Sequence, residues 1–358
     1  MNLKLKRKSV WVSAGIIMLC GVLLWDLLGS QFAAVETAND NSQPLKWVEF
    51  NVTAPAMEKA LALEVQGRES GKPVDWIELL AYLGTKYGGD FKKYKAKDMD
   101  TVAGKLSDGT TMQELTKDMK YYSYYYRAYS AVLGGMVGNY QIQTEDSLLN
   151  GTVQMQDKYG LKAYSPIAYG YSFSHYDDFG ASRSYGFKRN HLGNDLLGNV
   201  GTPIVAVESG VVETVGWNKY GGWRVGIRSF DGQRYYYYAH LRKDRPYHCD
   251  LKEGAVIEAG DVVGYLGMTG YSDKENVNGM SVPHLHFGMQ LVFDESQKEC
   301  DNEIWINVYE IVKFLEHHKS PVVRNDDTKE YYRKYSFVDP SVENLNGVIP
   351  QFPKHEQD

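Results

Sequence analysis

The sequence predicts an α+β chain: a helical region over residues 46–150, then a mainly antiparallel β region over residues 151–320. Two observations carry this. Helix-start signals recur before residue 130, where Asp75 stands three before Glu78 and Thr111 three before Glu114. From about residue 160 the pattern changes to short apolar runs cut by Gly, Pro and Asp-Gly turns.

Taken in order, Lys4, Lys6, Arg7 and Lys8 precede an uncharged run of 17 residues, 9–25, with Trp11 and Trp25 near its ends. This predicts a short cytoplasmic stub and a single transmembrane anchor within residues 1–30, with the remainder outside. A cleaved signal peptide is the competing reading, but no small-x-small cleavage site follows Leu28. Residues 31–45 are small and polar and read as a linker. Thr53 with Pro55 starts a first helix. Asp75 opens WIELLAYLGTKY, which stops at Gly88-Gly89, and Thr111 opens a long helix running to Gly134-Gly135. The tyrosine run 121–129 lies on that helix and reads as packing between helices. Further on, residues 203–217 suggest two strands broken at Glu208-Ser209-Gly210, and Asp231-Gly232 joins WRVGIRSF to QRYYYYAHL as a hairpin. A helix is expected over WINVYEIVKFLEHHK, with His317 and His318 solvated at its charged end. Residues 321–358, rich in charge and Pro, read as a polar, loosely ordered tail or wrap.

The chemistry sits in three short motifs: His191 and Asp195 in HLGND, His240 at the end of YYYYAH, and His284 and His286 in HLH. Two His and one Asp make a three-ligand zinc site with an open fourth position, as a catalytic zinc requires. Alternation along a strand puts His284 and His286 on one face, with Leu285 and Phe287 on the other. The same rule assigns His240 to the face of Tyr236 and Tyr238. No HExxH helix is present to supply a Glu base, so an imidazole would have to serve. His175, His248 and His355 show no partner pattern.

Residues 185–290 resemble the lysostaphin-type, LytM-like zinc metallopeptidases that cut peptidoglycan peptides. The likeness is carried by His191-Leu-Gly193-Asn-Asp195, by GTPIVA at 201–206, by the Gly-rich stretch from Gly260 and by His284-Leu-His286-Phe287. The family usually has Glu after that Phe; here it is Gly288. The resemblance implies zinc ligands His191, Asp195 and His286, non-ligand catalytic histidines His240 and His284, and a groove over the metal. Zinc-bound water would be the nucleophile, and the domain over 151–320 would be the metallopeptidase. The run WNKYGGWR at 217–224 is similar to the branch of membrane-anchored spore-cortex L-Ala–D-Glu endopeptidases, which places a helical segment before the peptidase. Its simplest reading is hairpin packing, with substrate contact by Trp217, Tyr220 or Trp223 as the alternative.

The formal net charge of −6 argues against a nucleic-acid partner. Of three cysteines, Cys20 falls in the anchor. Cys249 and Cys300 read equally as a bridge or as two thiols. Glu78 in a helical domain invites comparison with lytic transglycosylases, but no further motif of that class is present, and Glu78 reads as a cap partner. The expected function is a zinc endopeptidase acting on peptidoglycan stem peptides or cross-bridges outside the membrane. The alternative is a non-catalytic envelope scaffold that docks a partner. In either case the helical domain is the candidate surface for a protein partner.

Overall fold

The helix starts fall where the capping residues stand. The computed structural model describes residues 44–144, 153–185, 187–298, 303–345 and 349–350. The expected anchor, nearly all of the linker, Cys20, Cys300 and His355 therefore lie outside the described residues. The first helices are α1 (Ala54–Glu69), α2 (Trp76–Tyr87), α3 (Ala96–Ser107), α4 (Met112–Thr116) and α5 (Tyr122–Leu133). Thr53 caps α1 without a side-chain bond. The Ala54 N–H donates instead to Glu310 Oε2 at 2.7 Å, so a distant carboxylate satisfies the helix end. Asp75 accepts from the Glu78 N–H at 2.9 Å, and α2 stops at the left-handed Gly88. No helix among the described residues is long and apolar enough to cross a membrane.

The long helix expected from Thr111 is split. Thr111 and Glu114 form a full capping box, but α4 ends after five residues. Thr116 turns its hydroxyl back to the Met112 carbonyl, and the Met119 and Tyr122 N–H groups bond to the residues three before them. These tighter bonds redirect the chain, so that Tyr125 and Tyr129 enter the core. Tyr129 packs against Phe50 with ring centroids 5.4 Å apart. Gly84 on α2 makes room for it: a Cβ there would lie 2.8 Å from the Tyr129 hydroxyl.

The strands in order are β1 (Val137–Gln143), β2 (Met155–Leu161), β3 (Ser174–His175), β4 (Ser182–Tyr185), β5 (Phe187–Asn190), β6 (Asn194–Leu197), β7 (Pro203–Val205), β8 (Gly210–Asn218), β9 (Gly222–Ser229), β10 (Arg234–Ala239), β11 (Val256–Ile257), β12 (Val262–Tyr265), β13 (His284–Leu291) and β14 (Ile304–Ile306). After α6 (Tyr309–Leu315) come β15 (Val322–Arg324), β16 (Tyr331–Arg333), β17 (Phe337–Val338) and α7 (Pro340–Glu343). The main sheet runs β11-β8-β9-β10-β13-β6-β3, with β14 also pairing β13. Its described pairings are antiparallel. One face belongs to the core: Tyr236, Tyr238, Leu285, Phe287 and Met289 are wholly buried. They share one apolar cluster with Phe50, Leu79 and Tyr129 of the helical region. The opposite face is left for the site.

The described residues from Leu45 onward form one compact unit, in which the helices and the main sheet share an apolar core. Strand β1 already begins before residue 150, at Val137. Of the tail and the wrap expected over residues 321–358, the described residues 321–345 form a wrap. β17 pairs with β1, Phe337 is buried, and Glu330 is 2% exposed, bonded to the Tyr265 hydroxyl and to Arg245. Alternating buried and charged positions over so short a span gave little strand signal in the sequence. Finally, His318 is not a solvated helix-end residue. It stacks on Tyr164 at 4.6 Å, and its Nδ1 lies 2.6 Å from the Ala163 carbonyl. Burial holds its pKa below the usual imidazole range. The helix ends at Leu315, and the chain turns His318 inward.

Candidate active site and metal centre

Strand register builds the site. On β13 the side chains of His284, His286, Gly288 and Gln290 share one face. His286 stands directly opposite Asp195 on β6, so these two groups are cross-strand neighbours. His191 precedes β6 in the loop after β5. Its Nε2 lies 3.1 Å from Asp195 Oδ1 and 2.9 Å from His286 Nδ1, and the third edge, from His286 Nδ1 to Asp195 Oδ1, is 3.1 Å. The intervening Gly193 is a matter of space: a Cβ there would lie 2.7 Å from the Phe287 carbonyl and 2.8 Å from the His286 ring.

These distances test the fit of a metal. Ligand bonds of about 2.0–2.1 Å in tetrahedral geometry put donors roughly 3.3 Å apart. Two imidazole nitrogens and a carboxylate oxygen converge here at nearly that spacing, and among the described residues no fourth protein ligand joins them. The donor set suits a catalytic zinc. His191 Nδ1 lies 3.2 Å from the Asp178 carbonyl and 3.1 Å from its carboxylate, which places the ring proton on Nδ1 and leaves Nε2 free to ligate. Arg183 in turn bridges Asp178 at 2.6 Å and Asp195 at 3.5 Å. Burial pushes the Asp195 carboxyl up, but the close approach of the His191 and His286 rings and the charge of the imidazoles outweigh it. The group is held below the usual carboxylate range. Asp178 and Arg183 were missed in the sequence, because no fixed spacing ties them to the HLGND box.

The other two histidines flank the triad. His284 Nδ1 lies 2.8 Å from the Val282 carbonyl, and its buried Nε2 has no hydrogen-bond partner and sits 3.8 Å from Asp195 Oδ1. His240 Nδ1 lies 2.7 Å from the Thr269 carbonyl. The two rings are 4.8 Å apart. In both, the backbone carbonyl fixes the proton on Nδ1 and directs Nε2 toward the triad. Burial first, then the charge of His284 and His286, lowers the pKa of His240. Burial also lowers that of His286, against the pull of Asp195.

His240 departs from the expected face. β10 ends at Ala239, and His240 has φ 60, in the left-handed region. That turn swings its side chain across to the site face, whereas Tyr236 and Tyr238 point into the core. A strand rule applied one residue beyond the strand gives the wrong face.

The site opens into a cavity of about 800 Å³ lined by Arg189, Arg224, Tyr235, Tyr237, Gln290 and Trp305 besides the five motif residues. Within the WNKYGGWR run, Trp217 and Trp223 pair across the hairpin at 5.5 Å, which is packing. Tyr220, at the turn, instead reaches the cavity rim and carries the Arg189 guanidinium 4.8 Å over its ring.

Residues 189–299 match the profile of Peptidase family M23. Over 124 residues the chain is 37% identical to the L-Ala–D-Glu endopeptidase of Bacillus subtilis, covering 35% of this chain and 36% of that protein. Over 98 residues it is 38% identical to lysostaphin of Staphylococcus simulans, covering 27% and 17%. The chain thus spans about a third or less of the length of these relatives. A Ruminococcus gnavus crystal structure, assigned as a glycyl-glycine endopeptidase LytM, superposes with a TM-score of 0.51. It covers 78% of this chain and 92% of its own at 23% identity, a likeness of fold. The match to peptidase family M23 spans residues 189–299, and the five motif residues converge within that stretch.

Proposed function

We propose that the protein is a zinc endopeptidase that hydrolyses peptide bonds in peptidoglycan stem peptides. The observation that carries this reading is the convergence of His191, Asp195 and His286 on one point, with His240 and His284 beside it. His191, Asp195 and His286 would hold the zinc. When bound, zinc polarises the scissile carbonyl and brings the pKa of a coordinated water toward neutrality. His240 and His284, fixed as Nδ1–H tautomers by the Thr269 and Val282 carbonyls, present Nε2 to the reacting atoms. One of them accepts the proton of the attacking water at Nε2, and the imidazolium so formed donates that N–H to the developing oxyanion. Burial keeps His240 neutral at neutral pH, so its Nε2 lone pair is available to the proton.

The identity to the Bacillus subtilis protein supports the bond between L-Ala and D-Glu as the first to examine. The basic flank and the apolar run at 9–25 support a membrane-held enzyme acting on the extracytoplasmic side. The test is digestion of purified peptidoglycan fragments by zinc-loaded and chelator-stripped protein, with new termini identified by mass spectrometry. New termini at one stem-peptide bond, lost on chelation and in His284→Ala, are expected. No cleavage by folded, zinc-loaded protein would overturn the reading.

A further inference from the structure

Beyond the metal, the site face of the sheet continues into a recess with features of its own. Along β13, Gly288 and Gln290 follow His286 at two-residue steps, opposite Tyr237 and Tyr235 of β10. Arg224 of β9 lies in register beyond Ala239, on the same face. Three glycines clear this floor. A side chain at Gly226 would strike the Tyr235 hydroxyl, and one at Gly221 the Tyr237 hydroxyl. At Gly288 a Cβ would lie 2.8 Å from the Trp305 ring. The two tyrosine rings therefore lie along the sheet, and Trp305 stands over β13 as a wall, 6.2 Å from Tyr237. Glu303 holds that wall by accepting from the indole N–H at 2.6 Å.

Gln290 and Arg224 line this part of the cavity, together with Lys298 and Glu303. Gln290 is 2% exposed, and its amide nitrogen has no hydrogen-bond partner. Arg224 is 5% exposed, and its charge opposes the burial that raises the pKa of Tyr235 and Tyr237. A buried N–H donor left unmatched is costly unless a ligand satisfies it. A buried guanidinium beside it selects an anion that can take two or more hydrogen bonds, and the group of that kind on a peptide is a carboxylate.

We infer that this recess is a specificity subsite for a carboxylate on the peptide substrate, with Gln290 and Arg224 as its donors and Tyr235, Tyr237 and Trp305 as its walls. The inference rests on the endopeptidase reading. Four residues of β13 separate His286 from Gln290, about 13 Å of strand. The carboxylate thus belongs to a residue within about three positions of the scissile bond.

The test compares a stem peptide bearing a free side-chain or α-carboxylate near the cut with the same peptide carrying the amide. Binding is measured calorimetrically on zinc-loaded full-length protein with His284→Ala, so that it is read whether or not hydrolysis occurs. The acid is expected to bind roughly tenfold tighter than the amide, since charge-assisted hydrogen bonds are about twice as strong as neutral ones. Arg224→Met should abolish that preference, Arg224→Lys should keep part of it, and Gln290→Glu should invert it in favour of the amide. Retained zinc stoichiometry shows that each variant is folded. Equal binding of acid and amide by the parent protein would overturn the subsite while leaving the endopeptidase reading intact. A preference unchanged by both Arg224→Met and Gln290→Glu would equally overturn it.

Discussion

At the scale of single residues, the site depends on groups that never reach the metal. Asp178 receives His191 Nδ1 at both its carboxylate and its carbonyl. Asp178→Ala is therefore expected to weaken zinc affinity by about 10–100-fold while leaving the ligands in place. Competition against a chelator of known affinity measures this, and unchanged affinity would mean that the backbone carbonyl suffices. Glu78 shows the same dependence on surroundings away from the site. Its backbone N–H completes the cap on Asp75, but its side chain is half-buried beside that carboxylate. Burial first, and Asp75 second, push it up to about 7. A folded-state pKa above the unfolded one stabilises the protein at low pH, and this stabilisation is lost as pH rises through about 7. Glu78→Gln should thus be the more stable form at pH 8 by about 1 kcal/mol, allowing for partial exposure, and equal to the parent near pH 4. Thermal melts of both proteins across that range decide it.

At the scale of elements, charge is used where helices meet the sheet. Arg234 on β10 is 1% exposed, pairs with Glu208 at 2.8 Å and donates to the Ala131 carbonyl of α5 at 2.8 Å. The Tyr236 hydroxyl adds a bond to Glu208 at 2.6 Å. Removing the guanidinium alone leaves Glu208 buried and uncompensated. Arg234→Met should cost about 3–5 kcal/mol, and the double variant with Glu208→Gln should recover much of that. Urea unfolding of the single and double variants measures both, and additive losses would show that the pair is not coupled. The elements themselves were read unevenly from the sequence. The Asp231-Gly232 hairpin stands where its turn residues put it, because turn chemistry is local. The helix after Thr111 did not hold, because a competing Thr116 side-chain bond and the demand to bury Tyr125 and Tyr129 outweigh helical propensity.

At the scale of the whole molecule, the C-terminal segment closes the fold. Phe337 joins a second small core with Tyr164, Val262 and Tyr265, and Lys162 pairs with the buried Asp339 at 2.9 Å. Deleting residues 321–358 should lower the melting temperature by 10 °C or more, on the basis of roughly 2–4 °C per kcal/mol at this size. A truncated protein that melts like the parent would return the segment to the status of a tail.

By itself the sequence determined the fold class, the three motifs and the identity of the five converging groups. Ligand chemistry and the two-residue step of a strand are local and survive without the fold. Only the tertiary structure decided that His240 crosses to the site face, that Asp178 and Arg183 support His191, and that Gln290 and Arg224 share a cavity with the candidate metal ligands. Each of these depends on strand register or on a single left-handed residue. Such features bring together groups far apart in the chain, so no spacing in the sequence records them.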